Sequence, residues 1–217
     1  MILRLEGGLS VWTLVLGDFA ANCYVLVEEG SPQTCWVVDP GLGVEALLGH
    51  LERKRLTPSR VLLTHCHGDH TAGMAAVKAA FPEAVLTAPS AEAARLSDPM
   101  MNLSGLFGFH LVVPEPDETV GAGEELAMGG LTWRVLATPG HTPGGVCFHC
   151  PAASVVITGD TLFATGVGRT DLPGGDTQAM LESIRTVLLA LPDDTRVLPG
   201  HGPPTTIGAE RRSNPFL

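Results

Sequence analysis

The sequence predicts a mixed α/β protein, formally α+β, in which two packed β-sheets carry helices on their outer faces. Three observations support this. The first forty residues hold short apolar runs separated by turn residues, the pattern of a strand meander. From residue 44 helical periods alternate with short continuous apolar runs. Beyond residue 124 strand patterns predominate again, before one more helical stretch. A chain of 217 residues with 45% apolar and 17% charged residues can bury such a core as one domain spanning 1–217. No linker, repeat or low-complexity segment divides it.

Residues 11–16, "NCYVLVE" from Asn22 and "TCWVVD" ending at Asp39 read as strands, with "EEGSPQ" turning between the last two. Residues 44–54 have a helical period, and "SRVLLT" is a strand of the kind buried on both faces. "HTAGMAAVKAAF" has helical composition and stops before Pro82. "AVLTA" reads as a strand and "SAEAARL" as a helix opened by a serine. Residues 98–116, "DPMMNLSGLFGFHLVVPEP", are irregular yet apolar over an unusual length. Two readings stand there: a lid or pocket wall, or a loop tucked into the core. "EELAMGGLTWRVLATPG" is a hairpin turning at Gly129-Gly130, followed by the strands "GVCFHC" and "SVVITGD". A helix over 177–190, the strand "TRVLPG" and a short tail containing "GAERRSN" complete the chain.

Charge narrows the function classes. With 23 acids against 13 bases the net charge is −10, which repels polyanions, so nucleic acid is not an expected partner. Five cysteines are too few and too oddly numbered for a secreted disulfide framework, which points to a reducing, cytoplasmic setting. "LSVWTLVLG" reads as a strand rather than a signal segment, because Glu6 and Asp18 flank it and no small-residue cleavage site follows. No run approaches the roughly 18 apolar residues of a membrane span. A soluble monomer or small homo-oligomer is expected.

Four places set a histidine or aspartate just beyond an apolar strand: His65, His67, Asp69 and His70 after "VLLT", His141 after "WRVLATPG", Asp160 after "VVITG", and His201 after "RVLPG". Loops at strand ends let a rigid scaffold aim side chains at one point. Gly68, Gly140, Gly159 and Gly200 stand beside these residues and permit tight turns. Four titratable groups within "HCHGDH" would repel or desolvate one another unless a cation drew them together. Five imidazoles and two carboxylates suit zinc, iron or manganese, and seven donors suit two divalent ions rather than one.

The remaining candidates have plainer readings. His50 and His149 are expected to be ordinary packed histidines, and His110 more a loop residue than a pocket residue. Cys147 and Cys150 lie three apart on a strand and so face opposite ways, which argues against a shared metal or disulfide. Cys66 alternates away from His65 and His67 and reads as a small packing residue.

With these residues identified, "THCHGDH", "TPGHTPGG", "TGDTLF" and "PGHG" resemble, in order, the four motifs of the metallo-β-lactamase superfamily. The resemblance implies an αββα sandwich with its site at the sheet edges. It also implies that His65, His67 and His141 hold one ion, that Asp69, His70 and His201 hold the other, and that Asp160 bridges them. "GVGRTDLPGGD" and "ERRSNPFL" are similar to the short, single-domain type II glyoxalases, the hydroxyacylglutathione hydrolase-like proteins, which lack the C-terminal helical domain of the longer ones. The longer enzymes carry a lysine and a tyrosine where Arg169 and Asp171 stand here. The persulfide dioxygenases, one-iron oxidoreductases, similarly show "THCHADH" and "GRTD", and "HCH" with Cys66 is closer to them than to the longer glyoxalases; their ligands would correspond to His65, His141 and Asp160. "PGHGPPTT" followed by "NPFL" favours the glyoxalase type.

The expected activity is hydrolysis of a small thioester of the hydroxyacylglutathione type, with two divalent ions, zinc before iron or manganese, sharing a water held by Asp160. Zinc lowers the pKa of a bound water to about 7. Asp69 is expected to act as a ligand before any role as proton shuttle, since a metal-bound carboxylate is a poor base. Arg169 would either grip a substrate carboxylate or pair with Asp171 or Asp176. Met100 and Phe107, with Met101, Leu103, Leu106 and Phe109, would form an apolar wall for the acyl portion or belong to the core.

Overall fold

A computed structural model describes residues 1–217. The first sheet has seven strands in sequence order: β1 (Ile2–Arg4), β2 (Leu9–Leu16), β3 (Ala21–Glu28), β4 (Thr34–Val38), β5 (Thr57–Leu62), β6 (Val85–Pro89) and β7 (Glu118–Val120). Strands β1 to β4 pair antiparallel, and β4 to β7 pair parallel. The second half supplies β8 (Glu125–Met128), β9 (Leu131–Ala137), β10 (Val146–Cys150), β11 (Val155–Gly159), a small ribbon of β12 (Leu162–Phe163) and β13 (Gly166–Val167), then β14 (Arg196–Pro199) and β15 (Thr205–Thr206). The second sheet runs β15-β14-β11-β10-β9-β8, with the β11/β14 pair parallel and the others antiparallel. Both sheets are therefore mixed, as expected.

Side-chain alternation divides each strand between two cores. On β3, Tyr24 and Leu26 point between the sheets, where they meet Trp133, Phe148 and Ile157 of the second sheet. Cys23, Val25 and Val27 point the other way, onto helices α1 (Glu45–Lys54) and α3 (Met74–Ala80). A third core sets Cys147, Val156 and Val197 against α4 (Thr177–Ser183), its one-turn π-helical continuation (Ile184–Leu188) and α5 (Ile207–Ser213). The result is a helix–sheet–sheet–helix sandwich. Cys147 and Cys150 fall in different cores, on opposite faces of β10, as their spacing predicts.

Several local expectations are corrected. "SAEAARL" forms only a single 3-10 turn, Ala93–Arg95, because Glu92 and Arg95 turn inward to loop backbones instead of continuing a helix. "HTAGMAAVKAAF" is broken at Gly73, whose N–H donates to Pro40 O at 2.7 Å; the short α2 (Gly68–Thr71) precedes the break. The tail "GAERRSN" is largely helical, capped by the Thr206 hydroxyl, which accepts from Ala209 N–H. In the segment 98–116, Leu103 and Val113 are buried while Met100, Leu106, Phe107 and Val112 are exposed, so it is part wall and part surface.

Candidate metal centre

The chemistry-bearing loops converge at one end of the sandwich. His65 and His67 follow β5, α2 carries Asp69 and His70, His141 lies between β9 and β10, Asp160 follows β11, and His201 follows β14. Backbone geometry forces the approach. Gly140 and Gly159 have φ of +143° and +48°, a region open chiefly to glycine. A Cβ on Gly200 would collide with Asp160 Oδ1 and press on His70 Cε1, so glycine lets His201 close the ring without displacing either side chain.

Three overlapping donor groups result, one of them Asp39, His65 and His70, and the other two made wholly of predicted ligands. His65, His67 and His141 place one donor atom each within 4.8 Å of one another, and so do Asp69, His70 and His201. Asp160 stands between them, with Oδ2 at 3.5 Å from His141 Nε2 and Oδ1 at 3.5 Å from His70 Nε2. All seven sequence-predicted residues are brought together.

The surrounding protein decides which nitrogens face inward. His141 Nδ1 lies 2.8 Å from Arg169 O, the contact of an N–H donor, which leaves Nε2 as a lone pair directed at His67 Nδ1, 2.9 Å away. His70 Nδ1 lies 3.1 Å from Asp39 Oδ2, so its Nε2 also faces the centre. Asp39 is buried and accepts hydrogen bonds from Thr64 N–H at 2.8 Å and from Thr64 Oγ1 at 2.7 Å. Its role went unread in the sequence, where Asp39 appears only as a strand end; "VVDPG" before a helix was the available signal.

The donor set fits a pair of cations. His65 Nε2, His67 Nε2 and Asp160 Oδ1 are buried with no hydrogen-bond partner, and such orphans demand an explanation. Burial, reinforced by neighbouring imidazoles, pushes His65 well below its ordinary pKa and His67 down to about 2, so both keep free lone pairs at neutral pH. Burial opposes charge on His70 as well, but Asp69, Asp160 and Asp39 outweigh it and hold that ring up to about 10. Without a cation, protonated rings balance the carboxylates; with one, metal charge replaces those protons.

A cavity of about 440 Å³ opens over the centre. Phe19, Leu103, Phe107, Phe163, Val167 and Leu172 form its apolar part. The rings of Phe19 and Phe107 meet edge to face at 4.8 Å. Met100, expected in the same wall, is instead 54% exposed and outside the lining. Arg169 borders the cavity but pairs in bidentate fashion with Asp171, at 2.7 and 2.8 Å, while Asp176 caps α4. His50 packs edge-on against Trp12, His149 is buried on β10, and His110 is exposed, so none of the three joins the site.

Comparison with known proteins agrees with this geometry. The family model described as metallo-beta-lactamase superfamily matches residues 16–201. The chain belongs to this superfamily. Among members, it is similar to a protein of Haemophilus influenzae (strain ATCC 51907 / DSM 11121 / KW20 / Rd) named hydroxyacylglutathione hydrolase GloC, at 36% identity over 92% of this chain and 93% of the relative. The crystal structure of BLEG-1 B3 metallo-beta-lactamase shares 39% identity at a TM-score of 0.90, covering 95% of this chain and 99% of that one. TTHA1623, solved in a di-iron-bound form, shares 35% identity at a TM-score of 0.82, covering 95% and 100%. This chain's histidine and aspartate groups suit a dinuclear centre.

Proposed function

We propose that the protein is a metal-dependent thioester hydrolase of the hydroxyacylglutathione hydrolase type. The observation that carries this reading is the pair of three-residue donor groups joined through Asp160 at the floor of an apolar-walled cavity. His65, His67 and His141 would hold one divalent ion, Asp69, His70 and His201 the other. An ion pair held by these residues would supply an acidified water and positive charge for a developing oxyanion. The chain's own contribution is orientation: Arg169 O and Asp39 fix the tautomers of His141 and His70. The six apolar residues exclude water and receive the acyl portion, while Arg169 is the single Lys or Arg side chain on the lining. Asp69 is read as a ligand, with His201 Nε2 at 3.3 Å from its Oδ2.

Zinc or iron fits this nitrogen and oxygen set, and small molecules rather than nucleic acid or membranes are the proposed partners. The tail "PGHGPPTT" followed by "NPFL" supports the hydrolase reading over a one-iron dioxygenase. The test is elemental analysis of purified protein, combined with assays of S-lactoylglutathione and β-lactam hydrolysis and of persulfide-dependent oxygen uptake. Two ions per chain with thioester turnover is the expected result. One iron with oxygen uptake, or a preference for the β-lactam, would overturn it.

A further inference from the structure

One buried ion pair takes no part in the centre itself yet reaches the loops that build it. Glu92 is fully buried, immediately before the 3-10 turn that ends in Arg95. Its Oε1 accepts the Gly144 N–H at 2.8 Å, and its Oε2 accepts the Cys66 N–H at 3.2 Å while lying 3.4 Å from Arg95 Nε. Cys66 sits between His65 and His67 on the loop of the first sheet; Gly144 lies three residues past His141 on a loop of the second. A single carboxylate thus spans the two loops that supply all three imidazoles of one donor group. A carboxylate is needed, since an amide offers one acceptor oxygen and would set its NH2 against one of the two N–H donors.

Arg95 neutralises Glu92 and carries the connection outward. Its Nη2 donates to Met101 O at 3.0 Å and to Pro173 O at 3.1 Å, holding the segments that bring Leu103, Phe107 and Leu172 to the cavity. Both members are buried, so removing one leaves the other uncompensated.

We propose that Glu92 is a positioning residue for the His65, His67 and His141 ion, holding the two loops at the separation one cation requires. This rests on the metal-centre reading above. The main-chain hydrogen bond from Val146 N–H to Thr64 O, 2.9 Å, joins the same loops at their roots independently of Glu92.

The test measures zinc binding to the full chain by competition with a chromophoric chelator, for wild type, Glu92→Gln and Glu92→Asp. The aspartate keeps the charge but falls short of one N–H, and it reads out the clamp should the glutamine variant fail to fold. Loss of an outer contact that orients ligands typically weakens binding 10- to 100-fold. That loss is expected at one of the two ions in Glu92→Gln, less in Glu92→Asp, with the other ion retained. Cobalt substitution should show an altered ligand-field spectrum for the weakened site alone. Folded variants that bind both ions with wild-type affinity and spectrum would overturn the clamp while leaving the centre intact. A wild-type chain that binds no metal would overturn both.

Discussion

Asp39 is held at φ +53°, an uncommon conformation for a residue with a side chain, at the point where β4 ends. That twist directs its carboxylate to Thr64 and His70 at once. Replacement by asparagine keeps the size but removes one acceptor, and metal affinity at the His70 ion is expected to fall about 10- to 100-fold; chelator competition at unchanged affinity would refute it. The cysteines give the opposite kind of prediction. Burial pushes Cys35 and Cys147 up to about 12, raises Cys150, and holds Cys23 and Cys66 well above the usual thiol value. All five are free and buried, so a disulfide-exchange reagent such as DTNB should label none in the native protein and five after denaturation. At this scale the donors were legible because histidine and aspartate stand beside glycine at strand ends. Asp39 and Glu92 were not, because their importance lies in hydrogen bonds between loops far apart in the chain.

Among elements, legibility followed burial. Strands β3, β10 and β11 are mainly buried on both faces and read as apolar runs, whereas β1 is mostly exposed and leaves no pattern. Helix α5 was missed although Thr206 opens it, since the buried Glu210 spends its carboxylate on Thr165 N–H, Thr205 Oγ1 and Asn214 Nδ2 rather than on its own first turn. Asp176 is a clearer cap: its Oδ1 accepts from Gln178 and Ala179 N–H at 2.8 and 3.0 Å. Asp176→Ala should therefore lower stability by about 1 kcal/mol, read by denaturant unfolding, and leave metal content unchanged. Metal loss from that variant would mean that α4 governs the site through its contact with the Pro139 carbonyl, which Ser183 Oγ approaches to 2.7 Å.

Over the whole molecule, the two sheets meet at the centre through more than apolar packing. Tyr24 on the first sheet donates its hydroxyl to Pro199 O at 2.6 Å, and Asn22 Nδ2 donates to Pro199 O and Gly202 O, both at 2.9 Å. Ions bound between the sheets would add to these ties. At free metal 100 times its dissociation constant, each bound ion stabilises the folded state by about 2.7 kcal/mol. For a chain of this size that corresponds to a Tm difference of roughly 5–10 °C per ion, seen by calorimetry as a fall on chelation and a return on zinc addition. An unchanged Tm would show that the native state gains nothing from the ions. The sandwich was foreseen from strand and helix alternation together with the motif resemblance, while strand order and the Glu92–Arg95 connection depend on three-dimensional pairing that periodicity does not encode.

The donors are divided between the halves: four come from residues 65–70, and the other three at 141, 160 and 201. During synthesis the early portion can collapse against α1 and α3 while its imidazoles still lack counterparts. The His65, His67 and His141 group, with Asp160, is whole once residue 160 has emerged from the ribosome, whereas the Asp69, His70 and His201 group waits for His201, so the two ions of the proposed centre would be captured in sequence, the second only near the end of translation.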